Sequence, residues 1–408
     1  MKKTLIALAA LATVSSSFAQ SSVTISGFLH GSYDMFSIKN AGATRTGNKS
    51  ENRVTDNSSR LIFGMVEDLG GGLSAVGQFD LRVGLDAQQR FAPDDKPGAT
   101  SLNPASYAGT TGNNHVGLVS KDMGAIRLGR QDIHYTEGGH FNHTSTGTIA
   151  SSINVLHSNG AAGGSIANWS RTPNLLWYTS PTIAGFSATL GTSTNGTRTS
   201  GGFMEQENDM ASATAQRKGS TAYQRLAYTN GPLALVYSNI NSKSDWIGSA
   251  AYSAGLINAA AQNRADQKGS VLTAKYTMSG FSVGYAAAQT STTPVASTLV
   301  ETKNSNNQLG LGYTTGKHNL AYTLTNKGDN KVAGVTVANT GAKQTSLVYG
   351  YDLSKRTSIG IAMVALTNEA SSNNSLFYNA ENAVGSYGSG ALAGEKHTAT
   401  AISLKHSF

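Results

Sequence analysis

Two kinds of connection alternate along this chain, and their alternation constrains the fold more than any other feature. Segments in which every second residue is apolar, the period of a strand with one apolar face, are separated in turn by long polar stretches and by short turns. The short turns contain Gly, Pro, Asn, Asp or a polar cluster that can reverse the chain, and they lie at residues 68–72, 121–124, 180–185, 230–232, 278–280, 314–317 and 352–356. The long loops are expected at residues 37–58, 86–114, 132–169, 192–219, 239–269, 289–307, 325–342 and 367–396.

Seven short turns and eight long loops make fifteen connections, which predicts sixteen antiparallel strands. Such alternation is typical of a transmembrane β-barrel, whose strands are joined by short turns on the periplasmic side and by long loops outside. Because lipid offers the backbone no hydrogen bonds, the sheet must close, and sixteen strands leave a water-filled lumen. A large β-sandwich or a β-helix is the soluble alternative, but sandwiches rarely alternate two loop lengths and no short β-helix repeat is visible.

The first nineteen residues are expected to be an export signal. Two lysines precede an apolar stretch (residues 5–14) that is too short to span a bilayer. Residues 17–19, Ser-Phe-Ala, fit a small-x-small cleavage site. The remainder, residues 20–408, shows no domain boundary and is predicted to form one barrel.

Composition and motifs exclude several other classes of protein. The absence of cysteine excludes a disulfide scaffold, Cys-ligated zinc and thiol catalysis. Because neither a Gly-x-Ser-x-Gly elbow nor a His-Glu-x-x-His motif occurs, we predict no enzyme activity, no catalytic residue, no metal site and no cofactor. The chain is basic, with 31 Lys and Arg against 23 Asp and Glu. It lacks the basic stripe with interleaved aromatics that would indicate nucleic-acid binding.

The two-residue period also predicts which charged side chains face the lumen. In the third strand Asp80 and Arg82 alternate with small and apolar residues, so both are expected inside the barrel. Lipid would penalise an arginine by roughly 2–4 kcal/mol at the membrane midplane, and the same reasoning turns Arg60 and Arg127 inward. Guanidinium groups in a narrow pore with low-dielectric walls favour anions.

Several motifs together resemble a known family. They are Ser21 to Gly27, Ser59-Arg60-Leu61-Ile62-Phe63-Gly64, Glu67 to Ala75, Gly124 to Gln131, Arg171 to Pro181, and Leu404-Lys405-His406-Ser407-Phe408. These segments are similar to those of Gram-negative general porins of the beta-proteobacterial, anion-selective kind, and the resemblance extends over the whole chain after the export signal.

The resemblance implies a trimeric barrel in the outer membrane, with the third loop folded into the pore. The family's arginines that match Arg60 and Arg171 line the constriction, and Phe408 matches the terminal signal that the barrel-assembly machinery reads. A further arginine of the family has no counterpart, because residues 113–115 are Asn, Asn and His. In the third loop, Glu137 is the best candidate for an acidic partner of the arginines. Four loop histidines, whose imidazoles titrate near pH 6.5, could add positive charge in acid.

We therefore expect an outer-membrane homotrimer, surrounded by lipid and lipopolysaccharide, that passes small hydrophilic solutes and ions with a mild anion preference. Its selectivity residues are predicted to be Arg60, Arg82, Arg127, Arg171, Asp80 and Glu137. A channel specific for an organic acid or phosphate is one alternative. An adhesin or phage-receptor barrel is a second, and a barrel hydrolase is a third.

Overall fold

The computed structural model describes residues 21–40, 50–85, 112–132, 148–158, 172–194, 215–217, 219–244, 246–247, 265–294, 300–376 and 391–408. The export signal at residues 1–19, Glu137 and Arg171 lie outside these ranges. The strands are β1 (Ser22–Lys39), β2 (Ser50–Asp56), β3 (Arg60–Gly70), β4 (Leu73–Arg82), β5 (Asn114–Ser120), β6 (Gly124–Gln131), β7 (Thr172–Thr179), β8 (Phe186–Ser193), β9 (Ala215–Arg217), β10 (Ser220–Asn230), β11 (Leu233–Lys243), β12 (Trp246–Ile247), β13 (Ala265–Met278), β14 (Phe281–Pro294), β15 (Thr302–Thr315), β16 (His318–Lys327), β17 (Asn330–Val332), β18 (Val335–Val337), β19 (Ala342–Asp352), β20 (Thr357–Asn368) and β21 (Lys396–Ser407).

The long strands form one closed antiparallel barrel. Each strand pairs with the next along the chain, and β21 returns to pair with β1 over Phe28–Lys39. The backbones of Gly27 and Phe408 exchange two hydrogen bonds at this seam, at N···O distances of 3.3 and 3.1 Å. Segments β2 and β3 both pair with β1 and act as one interrupted strand. The predicted sixteen-stranded barrel is therefore confirmed, with β9–β12 and β17–β18 as small additions in the loops.

All seven predicted short turns are confirmed, and each lies at the same end of the barrel as Ser21 and Phe408. Several predicted loop boundaries are wrong because the strands continue past them. β11 runs to Lys243 rather than ending at 239, and β14 and β15 shorten the predicted loop 289–307 to the stretch between Pro294 and Thr302. These extensions are rich in Thr, Ser, Asn and Gln. Above the lipid both faces of a strand are polar, so the alternation that marks a strand in sequence disappears.

The barrel is apolar outside and largely polar inside. Outward side chains such as Val23, Phe79 and Leu128 are more than half exposed, while inward Ser238, Gln267 and Thr325 are completely buried. This inverted distribution is typical of a barrel wall that faces lipid and encloses a polar lumen. Among the described residues, no helix is long and apolar enough to cross a membrane.

Part of the third long loop lies inside the barrel. A 3-10 helix (Thr148–Ala150) and a one-turn helix α1 (Ile153–Leu156) pack against the inner faces of β15, β16, β19 and β20. Val155 and Leu156 are completely buried. They join two apolar clusters on the wall, one around Val364 and Leu366 and one around the side chain of Trp177. The expectation that the third loop folds into the pore is confirmed for this segment.

Candidate functional site: the charged inner wall of the barrel

A turn between β2 and β3 positions two side chains of the site. The Asp56 carboxylate accepts hydrogen bonds from the backbone N–H groups of Ser58 (2.9 Å) and Ser59 (3.2 Å), and the resulting Asx-type turn interrupts the strand without reversing its direction. Ser58 has a positive φ of 66°. Its carbonyl oxygen accepts hydrogen bonds from Nε of Arg60 at 3.1 Å and from a terminal nitrogen of Arg82 at 3.4 Å. One backbone carbonyl therefore orients both guanidinium groups.

Asp80 is the acid that these two arginines share. Its carboxylate is 3.2 Å from the Arg82 guanidinium and 3.5 Å from that of Arg60, and the residue is completely buried. The two arginine side chains stay 15% and 21% exposed. Arg60 and Arg82 lie directly opposite each other across β3 and β4. A single carboxylate thus holds two guanidinium groups that keep contact with the lumen.

Asn113 and Asn114, at the position where the resemblance implies a further arginine, support Asp80 instead. Asn113 donates its backbone N–H to the Asp80 carboxylate at 3.3 Å, and the Asn114 side-chain oxygen accepts the backbone N–H of Asp80 at 3.0 Å. These bonds add to the two arginine contacts. Because a buried carboxylate is costly unless it is paired and hydrogen-bonded, the Asn113 bond and the two arginine contacts offset the cost of its burial, and the Asn114 bond fixes the backbone at Asp80.

Lys405 is a further cation of the site that the sequence prediction missed. Its Nζ lies 4.5 Å from the centre of the Phe28 ring, and the guanidinium carbon of Arg60 lies 4.9 Å from the same ring. Both distances are within the range of cation–π attraction. The period-2 pattern of the last strand already put Lys405 on the side opposite Leu404, which was the signal available in the sequence. We call Phe28, Arg60, Asp80, Arg82 and Lys405 the wall cluster.

The wall cluster carries a net positive charge. Among the residues that the structure describes, three cations of the cluster face one carboxylate, which gives 3 − 1 = +2. Nearby, Asp34 and Arg53 are direct cross-strand neighbours of opposite charge and add nothing to the sum. The Asp56 carboxylate binds the backbone of the Ser58–Ser59 turn and is counted with that turn rather than with the cluster.

Arg127 faces the lumen at a different height. It lies opposite Gly117 of β5 and Trp177 of β7, and Gly117 in turn lies opposite Val76. Val76 precedes Asp80 by four residues. The backbone at Arg127 is therefore two strands across and four residues along from Asp80, a separation of roughly 16 Å. Across the described ranges, Arg127 forms no ion pair with a carboxylate. The structure therefore brings Arg60, Arg82 and Asp80 together but separates Arg127 from them.

The third-loop segment is held to the wall of β14–β19 mainly through its backbone. Thr290 and Asn306 donate to the carbonyl of Ser158 at 2.6 and 3.3 Å, and Asn306 also donates to that of Leu156 at 3.0 Å. Gln344 and Ser346 donate to the carbonyls of Ser151 and Ala150.

The Ser152 side chain of the loop also joins this network. The Ser152 hydroxyl contacts that of Thr325 at 2.6 Å and accepts a hydrogen bond from Gln308 at 2.8 Å. Of the four loop histidines, only His157 lies in the described ranges, and it is completely buried.

A profile of the family described as Gram-negative porin matches residues 6–371. The chain belongs to this family. Porin protein 32 of the outer membrane of Delftia acidovorans is 28% identical over 422 aligned residues, covering both chains completely. Among solved structures, an anion-selective porin from Comamonas acidovorans has a TM-score of 0.66 at 23% identity, covering 95% of this chain and all of that one. The trimer form of OmpT from Vibrio cholerae has a TM-score of 0.61 at 12% identity, covering 95% and 99%.

Membership of the porin family makes this protein a diffusion channel of the outer membrane. Porins are channel proteins rather than known enzymes. No group of three or more His, Cys, Asp or Glu side chains in the described part of this porin could hold a metal ion.

Proposed function

We propose that this porin is a general diffusion channel for small hydrophilic solutes and ions, with a mild anion preference set by the wall cluster. The observation that carries the proposal is the +2 charge of that cluster. Its arginines stay partly exposed to the lumen while its one acid is completely buried. An ion that passes the wall meets the guanidinium groups before it meets the carboxylate.

Size exclusion and charge act together in this mechanism. The buried third-loop segment occupies part of the lumen against β14–β20 and narrows the path that remains. In that narrowed space the low-dielectric wall focuses the field of the cluster. Chloride and small organic anions are stabilised relative to potassium, as a ring of basic side chains favours anions in other pores. The similar protein from Comamonas acidovorans is an anion-selective porin, which agrees with this direction.

Other parts of the proposal rest on the sequence and on the relatives. Arg171 and Glu137 are proposed to add a further cation and an acid to the constriction, and residues 1–19 are proposed to be removed on export. A homotrimer is supported by the trimer form of OmpT among the similar structures. Phe408 is proposed to be read by the barrel-assembly machinery, and lipopolysaccharide to contact the outer wall.

The test is planar-bilayer recording of the purified porin in a tenfold KCl gradient. We expect stepwise conductance and a reversal potential on the chloride side. Arg60→Ala and Arg82→Ala should each move that potential towards zero. Lys331→Ala, which removes an exposed charge in the β17–β18 hairpin outside the barrel wall, is the control and should leave it nearly unchanged.

A potassium-side potential in the unmodified porin would show that acids control the pore. A correctly folded protein without conductance steps would overturn the channel assignment itself and favour a role as a receptor.

A further inference from the structure

The outer wall carries a groove that is unrelated to the pore. At the short-turn end, consecutive strands from β13 to β19 place Met278, Phe281, Tyr313, Leu320 and Tyr349 side by side in one outward row. The Phe281 and Tyr313 rings pack with centroids 4.3 Å apart. A convex barrel wall would be expected here, but Met278, Phe281, Tyr313 and Leu320 of this row, with their neighbours, line a concave, almost entirely apolar groove of about 800 Å³.

The groove ends at a polar rim on the same outward face. His318 follows the row towards the short turn and lies opposite Tyr351. Its Nδ1 is 2.8 Å from the Tyr349 hydroxyl, and its ring contacts the Tyr351 ring edge-on at 5.0 Å between centroids. Amphipathic side chains of this kind suit the boundary between acyl chains and headgroups. The groove therefore opens at the depth of the lipid headgroups.

Basic residues lie directly beyond this rim. The Lys317 ammonium lies 6.0 Å from the Tyr351 ring centre and donates to the Leu353 carbonyl at 3.4 Å. The neighbouring turn adds Lys355 and Arg356, both exposed. The nearest acid of the two turns, Asp352, belongs to the inward phase of β19, where it accepts a hydrogen bond from Asn319. The rim thus offers positive charge outward and keeps its acid on the lumen side.

We propose that this surface binds an anionic glycerophospholipid of the periplasmic leaflet. An acyl chain lies in the groove over Phe281, Tyr313 and Leu320, and the phosphate lies at the Lys317 ammonium and the His318 ring. The charge of the rim complements a phosphodiester and has no counterpart in a zwitterionic headgroup, which already carries its own cation. A second copy of the chain is disfavoured as the occupant, because it would bury Lys317 and its basic neighbours together.

The test is native mass spectrometry of the full-length porin, released from nanodiscs that contain equal amounts of phosphatidylglycerol and phosphatidylcholine. The unmodified porin is expected to retain phosphatidylglycerol preferentially. Lys317→Ala should lower this retention about fivefold, the effect of about 1 kcal/mol per basic residue near anionic lipid. Lys317→Arg keeps the charge and should restore the retention.

Lys121→Ala is the matched control, because Lys121 is exposed in another short turn at the same end of the barrel, away from the groove. It should leave lipid retention unchanged. Equal losses of phosphatidylglycerol retention in both variants would show that general surface charge causes the effect and would overturn the proposal. Equal retention of the two lipids by the unmodified porin would overturn it as well. A change of oligomeric state in Lys317→Ala without a change in lipid retention would assign the groove to a contact between copies.

Discussion

Neutralising Asp80 isolates the contribution of the wall cluster to selectivity. In Asp80→Asn the side chain keeps its shape and an oxygen that can still accept hydrogen bonds from Arg82 and from the backbone N–H of Asn113. The cluster charge rises from +2 to +3. Since both arginines remain hydrogen-bonded to the Ser58 carbonyl, their positions should change little. The channel should therefore become more selective for anions.

The size of the change follows from Coulomb's law. One unit charge acts on an ion about 7 Å away with about 0.6 kcal/mol in water, and the ~10 Å Debye length of 0.1 M salt reduces this to about 0.3 kcal/mol. Chloride is stabilised and potassium destabilised by this amount, so their free energies at the cluster separate by about 0.6 kcal/mol. Since 1.4 kcal/mol corresponds to a tenfold change in an equilibrium constant, the chloride-to-potassium permeability ratio should rise about threefold.

The reversal potential in a KCl gradient around 0.1 M measures this ratio directly. Repeating the recording at 1 M salt should shrink the difference between variant and unmodified porin, because the Debye length falls to ~3 Å. Asp122→Asn, in an exposed short turn, is the control and should have no effect. An unchanged ratio in Asp80→Asn would refute the idea that the cluster lies on the ion path.

Three further predictions concern the wall, the loop and a turn. Arg127→Gln should lower the chloride preference without altering folding, because its guanidinium has no carboxylate partner in the described part of the chain; an unchanged reversal potential would exclude it from the ion path. Gln308→Leu removes a donor to Ser152 and should make the open-channel current noisier in single-channel recordings. Thr314→Val removes a side-chain hydrogen bond to Asn319 at the short-turn end and should leave the current noise unchanged. Equal noise in the two variants would contradict the anchoring role of Gln308. Gly124→Ala should reduce the folded fraction in a heat-modifiability gel assay, because the new Cβ would lie 2.2 Å from the Thr179 carbonyl oxygen. Gly70 has nearly the same φ as Gly124 (84° against 85°) but open space around it. Gly70→Ala should therefore lose only about 1 kcal/mol of stability from backbone strain and should fold better than Gly124→Ala.

Much of the fold could be predicted because lipid imposes a strong pattern on sequence. Wherever a strand lies in the bilayer, as in β4, polar and apolar residues must alternate, and each short turn needs residues that reverse the chain. Beyond the bilayer the rule no longer applies. The upper parts of β14 and β15 are polar on both faces, and only their cross-strand hydrogen bonds identify them as strands.

Three residues of the wall cluster were predictable from the sequence, but their geometry was not. Alternation placed Asp80, Arg60 and Arg82 on one face, but it could not show that Asp80 is shared by both arginines. That arrangement depends on the turn at Ser58, which interrupts a strand where the sequence predicts part of a long loop. Phe28 and Lys405 are neighbours only because the barrel closes, which brings residues from opposite ends of the chain together.

The anchoring of the third loop through its carbonyl oxygens places part of the control of the constriction in the barrel wall. Thr290, Asn306, Gln344 and Ser346 bind main-chain atoms that every amino acid possesses, so these contacts do not depend on which loop residues they hold. The apolar contacts of Val155 and Leu156 do depend on the loop side chains. A substitution in the wall, more than a hundred residues away in sequence, can therefore move the loop and change permeability without any change in the loop itself.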